Sequence, residues 1–172
     1  VNKLTEVIGM NTMESCDLEP QLLEHIDCGD YWRDKIVLQT EPGVRMPLYV
    51  LMPKTTSPVR KVPVICCHGH ASGGKVSVAG VAENPLIRQA IEEYNYDYGV
   101  QLVREGFITF CPDARGFGER RERPMQSDEP EKFLHGSCTI LNRWGMVLGQ
   151  SVIGMWVWDL KRLIDYIETR ED

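Results

Sequence analysis

Two short runs constrain this chain most: VPVICCH at residues 62–68 and FITFCPD at 107–113. Neither alternates apolar with polar residues, as a strand with one wet face would. Each therefore predicts a strand covered on both sides, the habit of parallel sheets. Between them, NPLIRQAIEEYNYDYGVQLVREG (84–106) has helical apolar spacing in two pieces and closes on Gly106, a helix-ending residue. After the second run, residues 145–172 place Leu148, Val152, Trp156, Leu160, Leu163 and Ile167 at three- and four-residue steps. That spacing predicts one long helix with a single apolar face. Buried strands alternating with helices imply crossover connections and parallel pairing, with helices on both sides of the sheet.

The segment before these runs reads differently. DKIVLQT (34–40) and RMPLYVLMP (45–53) flank EPGV (41–44). Strand formers on either side of a Pro-Gly turn predict an antiparallel hairpin over 34–53. Pro47 donates no backbone hydrogen bond, so its strand is expected near a sheet edge. EPQLLEHI (19–26) suggests a short helix, KTTSPVRK (54–61) a polar connector, and 114–133 a long polar loop. The expected organisation is a helical or irregular segment at 1–32 and a partial α/β domain at 33–172. That domain would hold the hairpin, buried strands at 62–68 and 107–111, and helices at about 85–105 and 145–169.

A chain of 172 residues, 42% hydrophobic and 26% charged, has enough apolar material for one domain with a real core. Its net charge of -6 argues against nucleic acid and anionic membranes as partners. No apolar run approaches the ~20 residues needed to span a bilayer. Of the six cysteines, none are spaced CxxC, and Cys66, Cys67 and Cys111 sit inside apolar runs as buried thiols do. Reduced thiols, and an opening segment without signal-peptide character, lead to an expectation of a cytoplasmic protein. A leader removed upstream of Val1 is compatible with the same residues.

Loops that follow the C-terminal ends of covered parallel strands carry the chemistry in such sheets. Here these are 68–83 and 112–133. The first admits three readings. Gly69 to Lys75 matches the opening of a phosphate-binding G-x-x-x-x-G-K-[ST] loop, but Val76 replaces the hydroxyl that reaches magnesium. Such a loop also needs a helix that starts at the lysine, and VSVAGVAENP argues against one. His68 and His70 share a face of an extended segment, but a zinc site needs three or four ligands, and His25 and His135 are remote in sequence. The third reading is an oxyanion hole. A glycine-rich turn after a covered strand lets backbone amides face a developing alkoxide. The donor would be the amide of His70.

The ordered set of hairpin, HGHASG (68–73), helix and DARGFGER (113–120) resembles the first half of an α/β-hydrolase. It is most similar to the acetyl xylan esterase and dienelactone hydrolase-like branch. The D-x-R-G-x-G turn of that branch is matched by Asp113, Arg115, Gly116 and Gly118. The resemblance implies that Gly69 and His70 occupy the oxyanion loop, with His68 shaping it. It implies a carboxyl-ester hydrolase without metal or organic cofactor, acting on a small-molecule or carbohydrate ester. Arg120, Arg121 and Arg123 would be solvated or would steer an anionic substrate. The family's nucleophile lies in G-x-S-x-G, which the chain lacks. Ser151, in GQSVIG, falls within the helical pattern and is expected to be a helix residue. The resemblance therefore implies that the serine, acid and catalytic histidine come from a C-terminal half. Without that half, a strand edge and apolar helix faces would be covered by self-association.

Overall fold

The computed structural model describes residues 2–54, 60–127 and 129–170. Of residues 2, 60, 61, 130 and 131 only the backbone is described. Five strands form one mixed sheet: β1 (Gln21–Asp27), β2 (Tyr31–Glu41), β3 (Val44–Pro53), β4 (Arg60–Ile65) and β5 (Phe107–Pro112). Their order is β1-β2-β3-β5-β4. The first three pair as an antiparallel meander, β3 meets β5 antiparallel, and β4 runs parallel to β5. The predicted hairpin thus leads into a parallel pair, as an α/β fold requires. Most of the expected connector at 54–61 lies outside the described residues.

Alternation along the central strands sorts the core into two layers. Tyr49, Leu51 and Cys111 point to one face and pack with Cys66, Val78, Ala79, Val100 and Val103. After α1 (Asn2–Val7) at the start of the chain, Val78 belongs to α2 (Lys75–Val78), and Val100 and Val103 to α4 (Tyr98–Arg104). Leu48, Val50 and Phe110 point to the other face, with Ile36, Leu38, Leu163 and Tyr166. Leu163 and Tyr166 come from α7 (Val152–Glu168). Side chains two residues apart share a face, so β3 and β5 carry both layers at once. The two-piece helix is present as α3 (Pro85–Tyr94) and α4. Asn84 caps α3 from its side chain, and Asn95 ends it in a left-handed conformation.

Several expectations are corrected. The 62–68 run is not a strand covered on both faces: β4 ends the sheet, Val62 is exposed, and so is Cys67, expected as a buried thiol. Residues 19–26 hold no helix: β1 covers Gln21–Asp27 and pairs with β2 across a turn in which the Cys28 amide donates to the Tyr31 carbonyl. Backbone pairing fixes this exposed strand, and His25 stacks on Trp32 at 4.5 Å. The Asp-Cys-Gly-Asp turn at 27–30 was the available signal. Pro47 is not near an edge; β3 lies between β2 and β5. Its carbonyl accepts from the Asp113 amide. The return bond that proline cannot make is replaced, because the Asp113 carbonyl accepts from Arg120 Nη1 at 3.0 Å.

The last helix does not run unbroken from 145. α6 (Cys138–Val147) ends, Gly149 turns the chain with positive φ, and α7 begins after Ser151. Ser151 is the N-cap rather than a helix residue: its hydroxyl accepts from the Gly154 amide and donates to the Ile8 carbonyl. The break is where the N-terminal segment docks. Gln150 donates to Thr12, and Met13 packs with Met155 and Trp158. Leu148 consequently leaves the apolar face and is exposed. α5 (Pro130–His135) and two short 3-10 turns occupy the stretch expected to be a polar loop.

Leu163 is fully buried in the α7 layer, whereas Ile164 is about half exposed. Leu163→Ala should destabilise by about 2–5 kcal/mol, and Ile164→Ala by less than about 1 kcal/mol. Urea unfolding of both variants tests the orientation of α7.

Candidate functional site

A cleft of about 190 Å³ opens at the C-terminal ends of β4 and β5. Met46, Phe117, Trp156 and Leu160 give it apolar walls, and Gly69, His68 and His70 form one rim. The two loops singled out in the sequence meet here because β4 and β5 are adjacent and parallel. The site is held from beneath by Asp113, which is fully buried.

Asp113 joins both loops. One carboxylate oxygen accepts the Lys75 amide at 2.8 Å. The other accepts the Lys75 ammonium at 2.7 Å and the Glu119 amide at 3.1 Å. Lys75 also bonds Glu119, which in turn pairs with Lys35 at 3.2 Å. Burial would lower the Lys75 pKa, but the Asp113 and Glu119 carboxylates outweigh it and hold the ammonium above its ordinary value. Burial would raise Glu119, yet Lys75 and Lys35 hold it below the usual carboxylate range.

This geometry decides the phosphate question. A helix does begin at Lys75, contrary to the sequence expectation, but it is a single turn. Its first amide is occupied by the Asp113 carboxylate, and the lysine side chain is sealed from solvent. The anion at this helix start is internal, so neither the Lys75 ammonium nor its amide is free to hold a phosphate. Two glycines make room for it. A Cβ on Gly74 or Gly118 would collide with the Asp113 carboxylate, and both have positive φ. The last glycine of the D-x-R-G-x-G pattern, Gly118, is thus required by the packing of its first residue, the buried Asp113.

His68 is bonded at both ring nitrogens. Nδ1 lies 3.0 Å from the Gly69 carbonyl, and Nε2 accepts from the Ala114 amide at 3.1 Å. Those partners require a neutral ring protonated at Nδ1. Burial likewise pushes its pKa below the ordinary histidine value. The His70 carbonyl accepts from the Tyr96 hydroxyl at 2.7 Å, and its ring meets Phe117 edge-on at 4.9 Å. Among the described residues, the amides of Gly69 and His70 meet no protein acceptor. His25 lies elsewhere, paired with Asp34 at 2.5 Å.

Two of the three arginines expected at the surface, Arg120 and Arg121, are neither solvated nor free to steer a substrate. Arg120 is buried against Asp159 at 2.7 Å. Arg115 bonds Asp159 and Glu41. Arg121 donates to the carbonyls of Gly118, Met125, Ser127 and Lys132 and pins the loop. Only Arg123 of the three expected surface arginines is exposed. Burial would raise Asp159, but Arg120 and Arg115 hold it below the usual carboxylate range. Sequence reading missed this cluster. Its signal was a charged residue, Asp159, sitting among the apolar positions of α7.

No family model matches the chain. No curated protein matches it. Solved structures do. A protein from Bacteroides fragilis NCTC 9343, provisionally named an acetyl xylan esterase, aligns with a TM-score of 0.72 at 17% identity. The alignment covers 98% of this chain and 43% of that one. A methylesterase aligns with a TM-score of 0.50 at 21% identity, covering 69% of this chain and 23% of its own. The likeness is one of fold. The chain spans less than half the length of either structure.

Gly118→Ala should cost at least about 1–3 kcal/mol of backbone strain alone, read as a fall in urea midpoint. The pH profile should carry His68. Its folded pKa is depressed, so its contribution is complete above the unfolded value and shrinks as pH falls below about 6.5. His68→Gln should remove that step. The fall from Glu119 and Asp159, also depressed, should persist at about pH 4 and below.

Proposed function

We propose that the chain is the oxyanion-loop portion of a carboxyl-ester hydrolase of the α/β-hydrolase kind, acting on a small-molecule or carbohydrate ester. The observation that carries this reading is the pair of unoccupied amides, Gly69 and His70, on the rim of an apolar-walled cleft at the end of the parallel strands. Support comes from the fold likeness to a protein provisionally named an acetyl xylan esterase and to a methylesterase.

In this reading a serine outside residues 1–172 adds to the ester carbonyl. The oxyanion accepts a hydrogen bond from the His70 amide, the alcohol departs, and water releases the acid. His68, neutral and doubly bonded, holds the rim in shape. Ser151 takes no part, because its hydroxyl serves as a helix cap. The remaining enzyme pairs with the open edge of β4, where Val62 is exposed, and covers Ile153, Val157 and Ile164 on α7. In the chain alone, a second copy covers the same surface, and light scattering should give a dimer mass.

Hydrolysis of p-nitrophenyl acetate tests the proposal. Turnover should require polypeptide beyond residue 172 and be unchanged by Ser151→Ala. In the active form, an α-hydroxy acid at position 70 replaces the N–H with an ester oxygen and keeps the side chain. It should lower kcat by about 10²–10³ with little change in KM. Unchanged kcat would exclude the His70 amide as the donor.

A further inference from the structure

Cys138 and His70 stand 68 residues apart in sequence, yet Cys138 Sγ lies 3.5 Å from His70 Nε2. We propose that they form a thiol–imidazole dyad at the mouth of the cleft, and that Cys138 is a nucleophilic modification site for small carbon electrophiles. The inference is independent of the oxyanion assignment, since it uses the His70 ring and not its amide.

Three features of the structure support it. The ring is aimed: Phe117 packs edge-on against it at 4.9 Å, and His70 lines the cleft. The backbone that carries the thiol is fixed: Gly116 has positive φ and lies so close that an added Cβ would press on the Cys138 backbone, while the Gly116 carbonyl accepts the Ser137 amide at 2.6 Å. The thiol also opens a ten-residue helix, α6, whose N-cap gives it no side-chain bond. Ser137 Oγ is used elsewhere, donating to Gly116 and accepting from the Glu122 amide. An imidazole nitrogen 3.5 Å from the thiol is placed to take its proton as the sulfur attacks. Cys138 is half-buried and stays reachable, unlike Cys66 and Cys111.

The step balances without a further reagent. The Cys138 thiol proton passes to His70 Nε2. The sulfur lone pair bonds to the electrophilic carbon as the leaving group departs with its bonding pair. The imidazolium then returns its proton to solvent.

Iodoacetamide is the probe, with each of the six cysteines followed by peptide mass mapping. At neutral pH, Cys138 should be alkylated at least about tenfold faster than the more exposed Cys67. His70→Gln should abolish that advantage in the native chain and have no effect in denaturant. Continued protection of Cys66 and Cys111 shows that the variant is folded. If Cys67 outpaces Cys138, or the Cys138 rate is the same with Gln at position 70, the dyad is overturned.

Discussion

One buried carboxylate organises the functional end of this molecule. Asp113 directly follows β5, accepts the first amide of α2 and the amide of Glu119, and pairs with an ammonium that is equally sealed from water. A lone buried charge is untenable, so partners must arrive from both loops at once. Gly74 and Gly118 give up their side chains to let them approach. The rim residues Gly69 and His70, and the turn that presents Arg115 and Phe117, are held in place from this point.

A second ionic layer lies above the first. Asp159 on α7 draws in Arg115 and Arg120, and Arg115 continues to Glu41 at the end of β2. The helix covering one face of the sheet is thereby tied to the same turn that Asp113 shapes. Trp156 and Trp158 reinforce the tie by donating to the carbonyls of Arg115 and Thr40. Charged pairs of this kind add little net stability against an apolar alternative, but they fix geometry. The catalysis by backbone amides proposed for this site would need such fixed geometry.

Much of the fold was legible because its signals are local. Unalternating FITFC marked a covered strand, Pro-Gly marked the β2–β3 turn, and the apolar spacing of 84–106 marked a helix in two parts, whereas VPVICC gave a strand that lies at the sheet edge with Val62 exposed. The same logic failed where the decisive contact is distant. β1 buries no side chain and is held by backbone pairing, so no apolar pattern announces it. Pro47 is tolerated in a central strand because Arg120 serves the orphaned carbonyl, a partner far along the chain. Lys75 resembles a phosphate ligand until Asp113 is seen beneath it. The break at 148–151 follows from docking of Ile8 and Thr12, more than a hundred residues earlier. His68 and His70, expected in an oxyanion loop, line the cleft, but their contacts with Ala114 and Cys138 needed the sheet to bring the two loops together.

The account stands on Lys75 and Asp113 being an internal strut. A double-mutant cycle with Lys75→Met and Asp113→Asn, measured by urea unfolding, tests that most directly. A strut predicts a coupling energy of about 1.5–3 kcal/mol, because each single variant strands the other buried group. Additivity to within about 0.5 kcal/mol would mean that the two residues do not sense one another, and the architecture proposed for the cleft would be wrong.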